Sequence, residues 1–124
     1  MAERADMDQP PRLAVKVFAD GADLEGIQRL AQNPIVSGFT TNPTLMRKAG
    51  VLNYEGFART VLECVSDRPV CFEVFTDDFN EMRAQARYIG SWGSNVFIKI
   101  PVSNTLGESA MSVVRDLSAD GLKV

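Results

Sequence analysis

Lys99 sits in the run Asn95-Val96-Phe97-Ile98-Lys99-Ile100-Pro101, apolar enough to read as a buried strand. Burying an ammonium there without a partner would cost on the order of several kcal/mol, a cost relieved by losing the proton from its usual pKa of about 10.4. A neutral lysine amine is a nucleophile that forms Schiff bases with carbonyl compounds. That chemistry needs proton transfers at the carbinolamine, at its dehydration, and at the oxygen released when a carbon–carbon bond breaks. Two carboxylates at the ends of other apolar strands, Asp20 and Glu73, could supply them.

The elements that would position these groups follow from the apolar spacing. Residues 13–20 read as a first strand, 35–41 as a shorter second, 70–75 as a third and the Lys99 run as a fourth. Between them Asp23 could cap a helix that Asn33-Pro34 stops, and Phe57, Ala58, Val61, Leu62 and Val65 recur with helical spacing after Tyr54. Asp77 is a plausible cap for a helix carrying Phe79, Met82, Ala86 and Ile89. Thr105-Leu106-Gly107-Glu108 reads as a capping box opening the last helix, with Leu106, Ala110, Val113, Val114 and Leu117 on one face.

Four strands alternating with four helices favour parallel pairing through right-handed crossovers, either as an open doubly wound sheet or as part of a (β/α) barrel. Alternation places Phe18 and Asp20, Cys71 and Glu73, and Phe97 and Lys99 on the strand faces opposite those offered to helices. In a barrel that second face is the interior. Asp20, Glu73 and Lys99 would then gather at the mouth formed by the C-terminal strand ends, joined by Thr40, Thr41 and Asn42. The competing reading makes Lys99 an ion-paired register pin for the strands.

Composition bounds the rest. The 124 residues suit one domain, with residues 1–12 as a loose tail, and a net charge of -3 offers no pull toward nucleic acid or an anionic membrane. The absence of histidine removes the commonest general base and zinc ligand. Two cysteines, Cys64 and Cys71, suggest reduced thiols in a cytoplasmic protein rather than a disulfide framework, and no apolar stretch approaches a membrane span. Trp92 reads as a packing anchor in a turn, Arg47 and Lys48 as a solvated face, and Asp23, Asp77 and Asp78 as helix caps.

The pieces Val17-Phe18-Ala19-Asp20, Gly38-Phe39-Thr40-Thr41-Asn42-Pro43-Thr44-Leu45, Phe72-Glu73-Val74 and Asn95 to Val102 resemble, in order and spacing, the transaldolase family with its fructose-6-phosphate aldolase-like branch. The resemblance implies a (β/α)8 barrel of TIM type and class I aldol chemistry: transfer of a dihydroxyacetone unit from a ketose phosphate to an aldose phosphate, a step of the pentose phosphate pathway, without metal or organic cofactor. By position it makes Lys99 the Schiff-base lysine, Asp20 the acid/base of carbon–carbon cleavage, Glu73 the carboxylate that dehydrates the carbinolamine through a water, and Asn42 a substrate-binding amide. Thr40 and Thr41 would shape that pocket. Glutamate at position 73, where the aldolase-like branch tends to carry glutamine, leans toward transaldolase.

Family members run to roughly twice this length, so residues 13–124 read as about the first four βα units, a half-barrel cut at the start of a fifth strand. The family's second half supplies phosphate-binding Arg and Ser residues, and without it activity would be crippled. A free half-barrel exposes two parallel edges and an inner face holding Phe18, Cys71 and Phe97, so a homo-oligomer or some other cover is expected. Two alternatives stay open: a non-catalytic half-barrel acting as a binding or assembly module, and a flavodoxin-like module in which Lys99 is structural.

Overall fold

The computed structural model describes residues 12–124, so all but Arg12 of the tail expected over residues 1–12 lies outside the described residues. Four parallel strands lie side by side in chain order: β1 (Val17–Asp20), β2 (Val36–Thr40), β3 (Val70–Glu73) and β4 (Val96–Lys99). Between and after them run α1 (Leu24–Leu30), α2 (Pro43–Lys48), α3 (Tyr54–Cys64), α4 (Phe79–Gly90) and α5 (Met111–Ala119). A doubly wound sheet reverses its winding at a switch point, whereas the order β1-β2-β3-β4 never reverses. With right-handed crossovers this winding puts the connecting helices on one face, as in half of a (β/α) barrel.

Burial follows that arrangement. Val70 and Phe72 in β3 and Val96 and Ile98 in β4 are buried in a core shared with Val61, Met82, Ile89 and Leu117, while Cys71, Glu73, Phe97 and Lys99 stay partly exposed on the opposite face. On that inner face Gly38 accepts the Phe18 ring. A Cβ at position 38 would stand 2.6 Å from Phe18 Cε2 and 2.9 Å from the Pro69 carbonyl oxygen, closer than carbon atoms pack.

The expected elements depart most from the observed ones at four places, each for a local reason, while β2 and β3 are only a residue or two shorter than expected. β1 begins at Val17, which pairs with Val36, the first residue of β2; Leu13 and Val15, expected in the strand, precede any partner and are 51% and 70% exposed. Asn42-Pro43 opens a short helix α2 that the apolar spacing does not announce: Asn42 Oδ1 accepts from Leu45 N at 2.8 Å, and Pro43 lacks an N–H where the first helical turn needs none. Five helices therefore replace the expected four.

The capping box does not form either. Asn104 Oδ1 accepts from the N–H groups of Leu106 (3.1 Å) and Glu108 (2.9 Å), and Gly107 adopts φ +78, so residues 104–108 make a loop and the helix waits until Met111. Leu106, expected on the buried helical face, is 79% exposed. The same loop takes Asp77 away from the role expected of it. Its carboxylate accepts from Thr105 N (2.8 Å) and Thr105 Oγ1 (2.6 Å), which holds its pKa below the usual range, and Asp78 caps α4 through Glu81 N at 2.9 Å.

At the opposite ends of the strands a polar clasp sets their starts. The guanidinium of Arg68, between α3 and β3, donates to the carbonyls of Ala31, Asn33 (3.2 Å) and Val36 (3.1 Å), and lies 5.4 Å from the Phe39 ring centroid. Asn95 Nδ2, just before β4, donates to the carbonyls of Val65 and Arg68, both at 2.9 Å. One chain of hydrogen bonds thus links the segments that enter β2, β3 and β4. The segment from Leu122 runs beside β4, where Ile98 N donates to Lys123 O at 2.8 Å.

Candidate active site on the inner face

Parallel registry decides which polar side chains become neighbours. Asp20 pairs with Thr40, Thr40 with Cys71 and Cys71 with Phe97, forming one row across the sheet, and Glu73 pairs with Lys99 two residues further along. Side chains of one row point to one face, so all of these groups share the inner surface. Lys99 reaches back over β3. Its Nζ donates to Thr40 Oγ1 at 3.2 Å and to the Thr41 carbonyl at 3.0 Å, and stands 3.8 Å from Glu73 Oε2.

The amine is therefore neither deeply buried nor unpartnered, contrary to the expectation from its apolar strand. The side chains of Lys99 and Glu73 are 37% and 32% exposed. Strand apolarity reports the helix-facing residues Val96 and Ile98, whereas Lys99 belongs to the alternate, open face. Its hydrogen bonds fix Nζ at the C-terminal end of β2, beside the Glu73 carboxylate of β3 and with Asp20 on the far side of Thr40.

Thr40 and Thr41 divide their roles. Thr40 holds its hydroxyl on the inner face against Lys99; Thr41 is wholly buried, and its hydroxyl donates into the sheet to Cys71 O at 3.1 Å. What Thr41 offers the site is its carbonyl oxygen. Asn42 spends Oδ1 on the α2 cap, and its NH2 carries no hydrogen bond within the described residues.

Tyr54, absent from the sequence-derived site, supports it from behind. Its hydroxyl donates to the Glu73 carbonyl at 2.8 Å and fixes the end of β3; burial raises its pKa so far that it stays a neutral donor at any working pH. Only the apolar spacing of α3 involves Tyr54 in the sequence, and that spacing says nothing about its hydroxyl.

Cys71 is a half-buried thiol on the inner face beside a cation: burial pushes its pKa up and the charge of Lys99 pulls it down. Removing the charge in Lys99→Ala should leave burial unopposed. The pH midpoint for alkylation of Cys71 by iodoacetamide should shift upward in that variant, followed by peptide mass spectrometry with the exposed Cys64 as internal control. An unshifted midpoint would mean that the Lys99 charge does not act on Cys71.

Among the described residues no group of three or more His, Cys, Asp or Glu side chains is placed to hold a metal ion, and no helix is long and apolar enough to cross a membrane. Residues 17–124 match the family model described as transaldolase/fructose-6-phosphate aldolase. Curated relatives agree. A probable transaldolase of Dehalococcoides mccartyi is 32% identical over 109 residues, covering 88% of this chain and 49% of the relative. One of Lactiplantibacillus plantarum is 38% identical with 88% and 48% covered, and a probable transaldolase 2 of Listeria monocytogenes is 34% identical with 88% and 47% covered. The chain spans about half the length of the curated relatives it matches.

Proposed function

The chain belongs to the transaldolase/fructose-6-phosphate aldolase family, and from that premise we propose that its inner face carries the nucleophile and the proton-transfer groups of a Schiff-base transfer between sugar phosphates. The observation that supports this reading most is the approach of Lys99 Nζ to Glu73 Oε2 at 3.8 Å on a face that also bears Asp20. In the reaction the Lys99 ammonium first gives a proton to the Glu73 carboxylate beside it, and the neutral amine adds to the C2 carbonyl of a ketose phosphate, a proton passing from nitrogen to the carbinolamine oxygen. The carbinolamine hydroxyl leaves as water after protonation, with Glu73 passing the proton through a water molecule.

Asp20 then takes the proton of the C4 hydroxyl as the C3–C4 bond breaks. The bonding electrons pass into the iminium, an aldose phosphate departs, and a dihydroxyacetone enamine stays on Lys99. Attack of that enamine on a second aldose phosphate, with Asp20 returning its proton, makes the new ketose phosphate, and hydrolysis frees the amine. Thr40 and the Thr41 carbonyl hold Nζ at the start of the cycle, and the Asn42 NH2 is the group assigned to a substrate hydroxyl. The reducing cytoplasm is the compartment this reading assigns, with both cysteines free.

Incubating the protein with fructose 6-phosphate and an aldose phosphate acceptor separates transfer from simple cleavage. A new ketose phosphate that forms only with acceptor present is the expected result; free dihydroxyacetone in the absence of acceptor would assign aldol cleavage instead. Within the cycle, Asp20→Asn should slow cleavage about 10²–10⁴-fold while leaving adduct formation nearly intact in single-turnover experiments. If adduct formation slows and cleavage does not, the roles of Asp20 and Glu73 are exchanged.

A further inference from the structure

Pro69 and Cys71 turn their carbonyl oxygens toward β2, accepting from Phe39 N at 2.9 Å and Thr41 N at 3.2 Å. A strand repeats every second residue, so the Glu73 carbonyl faces the same side. No strand is left there to meet it. The last residue of β2, Thr40, pairs with Cys71, and the chain then turns into α2 at Pro43. The Tyr54 hydroxyl stands where the next β2 donor would have been, donating to Glu73 O at 2.8 Å.

Tyr54 is itself firmly held. It is the first residue of α3, capped by Asn53, whose Oδ1 accepts from Gly56 N at 3.0 Å. Its ring packs against Phe72, Phe75 and Trp92, with centroids 6.3, 5.3 and 5.8 Å away. Ring and hydroxyl thus grip successive residues, Phe72 and Glu73, at one strand end. Burial raises the pKa of the phenol, which makes it a fixed donor and no source of protons. The Glu73 carboxylate has no hydrogen bond of its own among the described residues and meets Lys99 Nζ only at 3.8 Å, so its place is set through its backbone. Asp20 stands on β1, on the other side of β2 from Glu73, where a shift of the β3 end does not reach it.

We propose that Tyr54 is a positioning residue for imine formation alone: by holding the Glu73 backbone it keeps that carboxylate within reach of Lys99, and it takes no part in the step served by Asp20. The inference rests on the Schiff-base reading and divides its cycle between two structural supports.

Timed borohydride quenching of the full chain with fructose 6-phosphate, read by intact-mass spectrometry, separates the steps. Appearance of the ketose phosphate adduct reports imine formation, and its conversion to the dihydroxyacetone adduct reports carbon–carbon cleavage. Tyr54→Phe keeps the ring and removes the hydroxyl. It should slow adduct appearance about tenfold and leave the conversion within about twofold of the parent. In a Glu73→Gln background the same substitution should add less than about twofold, because the group it positions is gone. Equal slowing of both steps, an undiminished loss in the Glu73→Gln background, or an unchanged rate of adduct appearance would overturn the inference. A parent chain that forms no adduct would instead remove the Schiff-base reading, and this inference with it.

Discussion

Borohydride reduction in the presence of fructose 6-phosphate should leave one sugar adduct on the chain, at Lys99, and none in Lys99→Ala or Lys99→Arg. The chain has three other lysines, Lys16, Lys48 and Lys123, and all are exposed. Lys123 is committed to the Ser94 carbonyl at 2.9 Å and lies over the Phe97 ring. Among the described residues Lys99 is the one lysine with a carboxylate within ion-pair distance, at 3.8 Å, the group proposed for carbinolamine dehydration, and two oxygens hold its Nζ in place. Orientation of this kind replaces a bimolecular search with a positioned attack. Arginine keeps the charge and much of the stem but has no nucleophilic amine, so Lys99→Arg separates loss of nucleophile from loss of the cation. Peptide mass spectrometry reads the position directly. An adduct distributed over the exposed lysines, or one that survives in Lys99→Arg, would remove Lys99 from its assigned role.

The parts of this site that could be read from the sequence are those that alternation controls. Cys71 and Glu73 had to share a face because strands alternate, and Phe97 and Lys99 likewise, whatever the sheet did elsewhere. What joined those faces was the strand order, which alternation leaves open between barrel-like and doubly wound sheets. Strand apolarity likewise overstates the burial of Lys99, because it belongs to Val96 and Ile98, which face the helices.

Thr41 shows another limit. Nothing in Thr40-Thr41-Asn42 tells which hydroxyl turns into the sheet, and the answer depends on Cys71, thirty residues away, whose carbonyl accepts from Thr41 Oγ1. The loop at residues 104–108 shows a third, because a capping box and an Asn-centred turn compete for the same backbone donors. Asn104 wins where Gly107 can adopt a positive φ and Asp77 holds Thr105 from outside.

Arg68→Met should destabilise the fold by about 3 kcal/mol, a substantial fraction of the roughly 5–15 kcal/mol that holds a domain together. Methionine keeps the apolar stem that packs near Phe39 and removes the fork, so the loss reports the hydrogen bonds. The bond to the Asn33 carbonyl is exposed and contributes little; those to Ala31 and Val36 are part-buried, charge-assisted and leave unsatisfied carbonyls when removed. The Asp67 ion pair adds almost nothing, its carboxylate being 71% exposed. Urea unfolding should show a lower midpoint with an unchanged slope, and thermal unfolding a fall of about 10 °C. Arg68→Lys, a point charge without the fork, should fall between Met and the natural residue. A Met variant within about 0.5 kcal/mol of the parent would show that the clasp is incidental. The clasp reaches the chemistry through registry: Arg68 ties the start of β2, and Asn95 ties β4 to the same segment, so the spacing of Thr40 from Lys99, each four residues further along its strand, is set at the opposite end of the strands. Covalent capture by the folded fraction of Arg68→Met should therefore be slower than by the parent even where circular dichroism finds the fold intact, and an unchanged capture rate would uncouple the clasp from the site.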